Sequence, residues 1–554
     1  MEQARLIIAI VLSLVVFILW NFFFIDKKEN PPLKQAQEKE QKTDKKSEVS
    51  KKEKVILEKP PLAASISGPP IKASRTVTVK TPLYVVKISE KGAVFKSYVL
   101  KNYRETTDVD SPLLEMIPED ISEGIIRLGF AGNSLSGLDD AVYSADINGD
   151  SVDIVNKSEK ISFVWTSPQG VAIEKKFSFS PETYMIDLSV TVKNLSGQTL
   201  RDSMMLSLAQ PAEKDSSFGF TGPSALINNK LTQIKTKKIK DKNTYTGNVK
   251  WVAVQNRYFM SAIIPDDPPD DPPDGAMHLY ADDKVLKNRY VRPEIAMESG
   301  TQHVFKYKLF FGPKSMRVLK GLDYELVKAV HFGMFDIIAK PCVWIMNFIY
   351  DHFIPNYGVA IIMLTLFTKI ILWPLGNKSY KSMAEMKKIQ PLMAEIKEKY
   401  KDDKKRMNEE VMGLYKTYKV NPMGGCLPML AQIPIFFALY RMLYEAIELR
   451  HAPFFWWIND LSAPDRLFRF DISIPFMQPP YGIPVLTIIM GASMFLQQKM
   501  SPPMGDATQA KMMMLMPVVF TVMFINFSSG LVLYWLVNNI ISMAQQYYIQ
   551  KKNV

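Results

Sequence analysis

Apolar and polar positions are segregated along this 554-residue chain into three regimes. Leu6 to Ile25 is an apolar run of 20 residues, about the length at which a helix crosses a bilayer. It ends in Asn21, three phenylalanines and Ile25 rather than in small residues, which predicts an uncleaved anchor over 1–25 instead of a signal peptide. From about 60 to 320 the pattern changes to short alternating segments such as RTVTVK, LYVVKIS, MIDLSVTVKNLS and HVFKYKLFFGP, separated by Gly, Pro, Asn, Asp and Ser. Many short strands at this spacing predict a β-sandwich domain. Residues 321–356 are amphipathic and aromatic, with Pro341 in the middle, and read as helices lying in a membrane interface. Five apolar spans follow: Tyr357 to Leu375, Gly424 to Ile447, Gly482 to Gln498, Met512 to Phe527 and Gly530 to Ala544. The resulting fold class is a multi-pass α-helical membrane protein of six spans carrying a water-soluble β domain.

Composition sharpens this picture. Residues 27–59 hold eleven lysines against seven acids and almost no aromatic side chains, the composition of a solvated linker, assigned here to 26–59. The tandem DDPPDDPPDG at 266–275 cannot continue a strand and reads as a surface loop. The net charge of +12 could point to nucleic acid, but the basic residues flank membrane segments, so lipid headgroups and topology explain them without nucleic-acid readout. Only Cys342 and Cys426 are present, so no disulfide framework supports the β domain. Nothing in the sequence forms a phosphate-cradling glycine motif, a metal-spaced His or Cys cluster or a defensible catalytic triad, so neither an enzyme nor a bound cofactor or metal is expected.

Loop charges orient the spans. The loop from Gly376 to Val420 carries twelve Lys and Arg against seven acids, whereas Arg450 to Pro480 carries three of each. Basic loops stay in the cytoplasm, which puts both termini inside, including the short tail 549–554, and the β domain outside. Within the basic loop, 376–420, Met383, Met386, Ile389, Met393, Ile396 and Tyr400 recur at helical spacing, as do Met407, Val411, Leu414 and Tyr418 after the KDDK turn. That is the pattern of an αα-hairpin with charged outer faces.

Polar residues inside the spans line up. Thr365, Thr368 and Lys369 share one helix face, and Tyr534, Trp535, Asn538, Asn539, Ser542 and Gln545 form a comparable stripe. Gln432 and Gln498 fall in the same inner half of their spans. Polar groups in lipid must face protein or water, so these residues predict a hydrated groove open to the cytoplasm. Ordinary interhelical glue and a snorkelling lysine account for the same pattern. No Asp, Glu or His lies in the second, fourth, fifth or sixth span, which argues against a proton-coupled transporter. Twenty-two of the 31 methionines lie from Met334 onward and suit a surface that accepts many apolar shapes.

The stretches NPMGGCLPMLAQIPIFFALYRMLYEAIELRHAPFFWWINDLS (421–462), QQKMSP (497–502) and SSGLVLYWLVNN (528–539) resemble the YidC/Oxa/Alb family of membrane protein insertases. The resemblance covers the five-span core, and the anchor and β domain resemble the Gram-negative YidC type, whose periplasmic domain is a β-supersandwich. It implies an insertase and chaperone of the bacterial inner membrane. Its partners would be nascent membrane proteins, membrane lipids, the Sec translocon with its accessory subunits, and the ribosome through the basic loop. A groove lined by Lys369, Thr365, Thr368, Gln432, Gln498, Tyr534, Trp535, Asn538 and Asn539 would receive substrate. Where the family carries an intramembrane arginine this chain has Lys369, which keeps the charge but not the planar bidentate fork. Trp535 stands where many bacterial members have tyrosine. The rival from the residues alone is a carbohydrate-binding or carbohydrate-active protein whose work lies in the β domain, or a small-solute transporter.

Overall fold

Strand Val171–Phe179 reads VAIEKKFSF, and its buried and half-buried positions alternate without a break, so one face of its sheet is covered. The computed structural model describes residues 74–135, 137–212, 219–267, 274–418, 420, 427–501 and 507–552. The expected anchor over 1–25, the linker over 26–59 and most of the 266–275 loop lie outside them. The chain divides into two units, 1–75 with 216–218 and 76–215 with 219–554, and the sheets and helices belong to the second.

The covered sheet has nine strands, in the spatial order Lys230–Gln233, Gly222–Ile227, Val249–Gln255, Phe259–Pro265, Gln302–Pro313, Met185–Asn194, Val171–Phe179, Glu159–Thr166 and Ser144–Ala145. Two five-stranded sheets lie on it. One contains Thr76–Lys80, Tyr84–Ser89 and Val94–Arg104, and the other contains Met204–Pro211, Gly275–Ala281 and Val285–Val291. Phe311 of the large sheet packs on Phe95 at 5.6 Å and Tyr98 at 4.9 Å in the first, while Tyr307 meets Tyr290 of the second edge-on at 6.1 Å. Residues four apart on a strand share a face, so both smaller sheets cover the same side. The alternating segments are therefore the strands of a β-sandwich, running from Thr76 to Pro313.

One residue breaks the apolar phase. Lys175 falls in register with Val171, Ile173, Phe177 and Phe179 and is fully buried. Its ammonium donates to the carbonyls of Gly92 (3.2 Å) and Ala93 (2.7 Å), just ahead of strand Val94–Arg104 in one five-stranded sheet, and of Ile126 (2.8 Å), just ahead of Arg127–Phe130, which pairs with Met204–Pro211 in the other. In the protonated form three donors meet three acceptors, which stitches two layers together. Lys175→Met should orphan these carbonyls and cost on the order of 3 kcal/mol, read as a lower thermal midpoint of the full-length protein and faster amide exchange in 171–179. Burial, with Arg127 nearby, draws the ammonium from its ordinary 10.5 down to about 7. The unfolded chain keeps that proton, so unfolding takes one up above about pH 7, and the wild type should gain stability between about pH 7 and 10. The methionine variant should lack that slope, and an identical pH dependence in both proteins would refute the linkage.

The helices follow. Met316–Lys320 is a short α1, and α2 is Asp336–His352. The amphipathic pattern expected from 321 thus becomes a regular helix only at Asp336, after two 3-10 turns. It buries Ala339, Cys342, Val343, Met346 and Ile349 and leaves Ile337, Trp344 and Phe348 exposed on the other side. Helix α3, Tyr357–Lys388, is capped by Asn356, whose side chain accepts from the Val359 amide. It runs thirteen residues past the expected end at Leu375. Helices α4 (Gln390–Lys399) and α5 (Lys404–Thr417) form a helical hairpin, and the break from α3 falls at Ile389, two residues before Pro391. Met386, Ile389 and Val420 close its base with Met393, Leu414 and Tyr415.

The remaining helices are α6 (Leu427–Glu445), α7 (Val485–Met500), α8 (Ala507–Phe524) and α9 (Ser529–Lys552). Among the described residues one helix, α3, is both long and apolar enough to cross a membrane, with Met512–Phe524 a shorter apolar stretch. The count of six spans therefore does not follow from helix length and apolarity. At 1.5 Å per residue the 16 residues of α7 reach about 24 Å against a hydrocarbon core of about 30 Å. Gly491 lets α7 approach α8, because a Cβ there would stand 2.0 Å from the Thr521 hydroxyl.

A polar joint ties the β domain to the helices. Arg257 donates through Nε to the Tyr444 carbonyl at 2.6 Å and lies over the Tyr444 ring at 3.6 Å. Ser315 donates to Glu448 at 3.0 Å. Burial pushes the Glu448 carboxyl up and holds the neighbouring Lys314 ammonium down near 8.

Candidate functional site

Away from that joint, α3, α6, α7 and α9 meet along a seam of polar side chains. Lys369 of α3 is half-buried and donates to Ser542 Oγ of α9 at 2.7 Å. Ser542 in turn donates to the Asn538 carbonyl at 2.7 Å, one turn back on its own helix. Gln432 of α6 donates to Asn538 Oδ1 at 2.9 Å. Lys369, Asn538 and Gln432 are thus brought together from three helices. Their spacing explains it, since a step of three or four residues keeps a side chain on one helix face.

Other predicted residues stand behind this layer. Thr365 is fully buried and donates to the Ile361 carbonyl of its own helix at 2.7 Å, and Thr368, half-buried, donates to the Thr365 carbonyl at 2.9 Å. Asn539 is buried and bonds Ser493 of α7 at 3.0 Å. Tyr534 is buried with Gln432 as its side-chain partner. Thr365, Asn539 and Tyr534 therefore pack helix against helix. Gln498 is half-buried on α7, and among the described residues no side-chain bond joins it to the Lys369 seam. Trp535 belongs to an aromatic cluster, edge-on to Phe436 at 4.6 Å and to Phe524 at 5.0 Å.

Sequence reasoning missed three members. Tyr380 bonds Ser542, and Asn377 accepts from Gln545 Nε2 at 2.9 Å, which carries the polar seam a further three turns toward the hairpin. Gln546 is buried and reaches Ser501 at 3.4 Å. Tyr380 could have been found, because it lies eleven residues, or three turns, beyond Lys369. It was hidden by ending the helix at Leu375.

Chemically the seam offers a cation and amide donors. Among the described residues no carboxylate lies within ion-pair distance of Lys369, and its one bonded partner is a neutral hydroxyl, so the charge stays available. No group of three or more His, Cys, Asp or Glu that could hold a metal occurs among the described residues. Around the seam, Leu366, Phe367, Ile370 and Ile371 leave an exposed apolar face on α3, and Met512, Met514 and Met516 do the same on α8.

Comparison with known proteins extends over both regions. A family model described as the YidC periplasmic domain matches residues 76–345, and one described as 60Kd inner membrane protein matches 348–554. The chain is similar to the membrane protein insertase YidC of Syntrophus aciditrophicus, with 40% identity over 565 residues and 99% of each chain covered. It is also similar to the membrane protein insertase YidC of Syntrophobacter fumaroxidans, with 39% identity, covering 99% of this chain and 100% of that one. A solved structure described as the active YidC insertase with its first transmembrane domain resolved matches with a TM-score of 0.38 and 20% identity, covering 86% of this chain and 93% of that one.

Proposed function

The chain belongs to the YidC family of membrane protein insertases, and from that premise we propose how this inner-membrane insertase, with its periplasmic β domain, handles a substrate. A short polar tail of the substrate enters the seam from the cytoplasmic side and exchanges hydrogen bonds with Lys369, Asn538 and Gln432, while its apolar segment slides along the exposed apolar faces of α3 and α8. The carrying observation is that Lys369 is held by a neutral hydroxyl, with no carboxylate of the described residues in reach. An ammonium in that state can pair with a passing carboxylate and release it, because no permanent partner competes. No bond is made or broken in the substrate.

The topology belongs to the same proposal. An anchor over 1–25, a linker over 26–59, interfacial helices over 321–356, a second span over 357–375 and four further spans within 421–548 give six crossings with both termini and the hairpin of 376–420 in the cytoplasm. The charge of that loop supports the orientation, and the short helices require a locally thinned bilayer, which also shortens the path for a polar tail. The hairpin's basic faces make it the docking surface for ribosomes and nascent chains. Cooperation with the Sec translocon and contact with membrane lipids complete the proposed partners.

Thiol chemistry tests the seam. Single cysteines at Thr368, Gln432 or Asn538, in a background lacking Cys342 and Cys426, should react with a water-soluble thiol reagent added from the cytoplasmic side, because thiolates form only where water reaches. Cysteines at the buried Thr365 and Asn539 should react at least about tenfold more slowly. Reaction from the periplasmic side would indicate a through-channel and revive the transporter reading, and inertness at all five positions would reduce the seam to interhelical glue.

A further inference from the structure

Where strand Val94–Arg104 leaves its sheet, the turn that follows meets the loop after α6, and the two enclose a cavity of about 570 Å³. Its wall includes Lys101, Arg104, Thr107, Arg450, His451 and Asn459. Backbone carbonyls hold the cationic heads. Arg450 donates to the carbonyls of Arg104 at 2.6 Å and Glu105 at 3.1 Å, and Arg104 donates to those of Val109 at 3.1 Å and Ser111 at 2.6 Å. Lys101 donates to the Thr81 carbonyl. Carbonyls orient a cation without neutralising it, and none of the ion pairs among the described residues includes Lys101, Arg104 or Arg450. Asp460 stands 4.0 Å from His451, the exposed Glu105 lies near Arg450, and the exposed Asp108 accepts from Thr106 of the cavity wall at 3.2 Å.

A second feature fixes the surroundings. Five and six residues after Arg450, in the same loop, Phe455 is 52% exposed and Trp456 is 88% exposed. Exposed aromatic rings beside basic side chains at the end of membrane helices match the level of lipid headgroups. The loop joins α6 to α7 on the side of the periplasmic domain, so the headgroups in question are those of the periplasmic leaflet.

We propose that this cavity binds the phosphodiester headgroup of an anionic phospholipid, which then bridges the β domain to the outer loop of the helical core. Lys101, Arg104 and Arg450 supply the charge, Asn459 and Thr107 supply polar contacts, and Phe455 and Trp456 lie against the glycerol and upper acyl region. The site rests on the membrane placement of the helices and is independent of the polar seam. Free phosphate shares the recognised chemistry but offers nothing for the aromatic rings.

Native mass spectrometry of the full-length protein released from nanodiscs of phosphatidylcholine with phosphatidylglycerol tests the site. The wild type should retain phosphatidylglycerol, and the Lys101→Gln, Arg104→Gln double variant should retain on the order of tenfold less, since each basic residue near an anionic surface contributes comparably. Thr107→Glu should act in the same direction. Its side chain makes none of the hydrogen bonds among the described residues, so it changes the cavity's charge without disturbing the turn. Equal retention by the wild type and both variants would overturn the proposal. So would displacement of the lipid by excess inorganic phosphate with a phosphate adduct in its place. A wild type that inserts substrates but holds no phosphatidylglycerol would overturn the lipid site alone and leave the insertase mechanism standing.

Discussion

Lys369→Ala is expected to slow the insertion of substrates with acidic translocated tails by about ten- to a hundredfold in proteoliposomes, while substrates with neutral tails insert within a few-fold of the wild type. The size follows from the interaction removed. A hydrogen bond to a charged group contributes about 1.5–3 kcal/mol, and each 1.4 kcal/mol is a factor of ten. The direction follows from geometry, since the ammonium is bonded to Ser542 and faces no carboxylate of the described residues. Lys369→Arg should preserve most of the activity because it keeps the charge. Ser542→Ala should cost less than either tail-dependent effect, because it removes only a neutral partner and Asn538 keeps its bond to Gln432. Equal slowing of acidic and neutral tails by Lys369→Ala would mean that the lysine holds the helices together and does not meet substrate.

How far the sequence reached is clearest at particular residues. Period-two alternation exposed strands such as Val171–Phe179, because a sheet covered on one face imposes it directly. The order of the nine-stranded sheet was not legible, since Phe259–Pro265 pairs with Gln302–Pro313 across an intervening hairpin and Thr76–Lys80 pairs in parallel with Ser151–Asp153. Such pairings are set by which faces fit after collapse, not by local pattern. Lys175 was invisible for a related reason: a lysine in the apolar phase declares itself only when three carbonyls arrive from the ends of strands in two other sheets. In the helical core the polar stripe on each helix could be read from spacing, but the partner of Lys369 lies 173 residues away in Ser542. Pattern could not separate half-buried Gln432 and Asn538 from buried Thr365 and Asn539, because spacing gives the face of a helix and not the depth of the neighbour against it. The early stop at Leu375 came from reading the end of an apolar run as the end of a helix. Helix α3 runs on through Lys378 and Lys381 although Pro374 lies inside it, and it ends only at Lys388, shortly before Pro391.

That continuity makes the hairpin more than an appendage and leads to the other large expected effect. Replacing Gln390–Thr417 by a short Gly/Ser linker should abolish insertion while leaving the helical core folded. Ile389 and Val420 belong to one buried cluster with Met386 at the base of the hairpin, so a short linker can close the gap without strain on α3. Lys369 and Ser542 lie outside the excised segment, as does the Gln432–Asn538 bond, so the polar seam should survive. What disappears is the amphipathic pair α4 and α5 with its lysines, the basic surface proposed above to meet a chain before it reaches the seam. Insertion of every substrate class should fall, in contrast to the charge-selective defect of Lys369→Ala, because capture precedes any contact with the lysine. Circular dichroism and cytoplasmic thiol labelling at Gln432 should remain at wild-type levels. Wild-type insertion by the deletion protein would make the hairpin a spacer. Loss of labelling at Gln432 together with loss of insertion would show instead that the hairpin holds the seam open, since α3 carries Lys369 and the first residues of the hairpin base on one continuous helix.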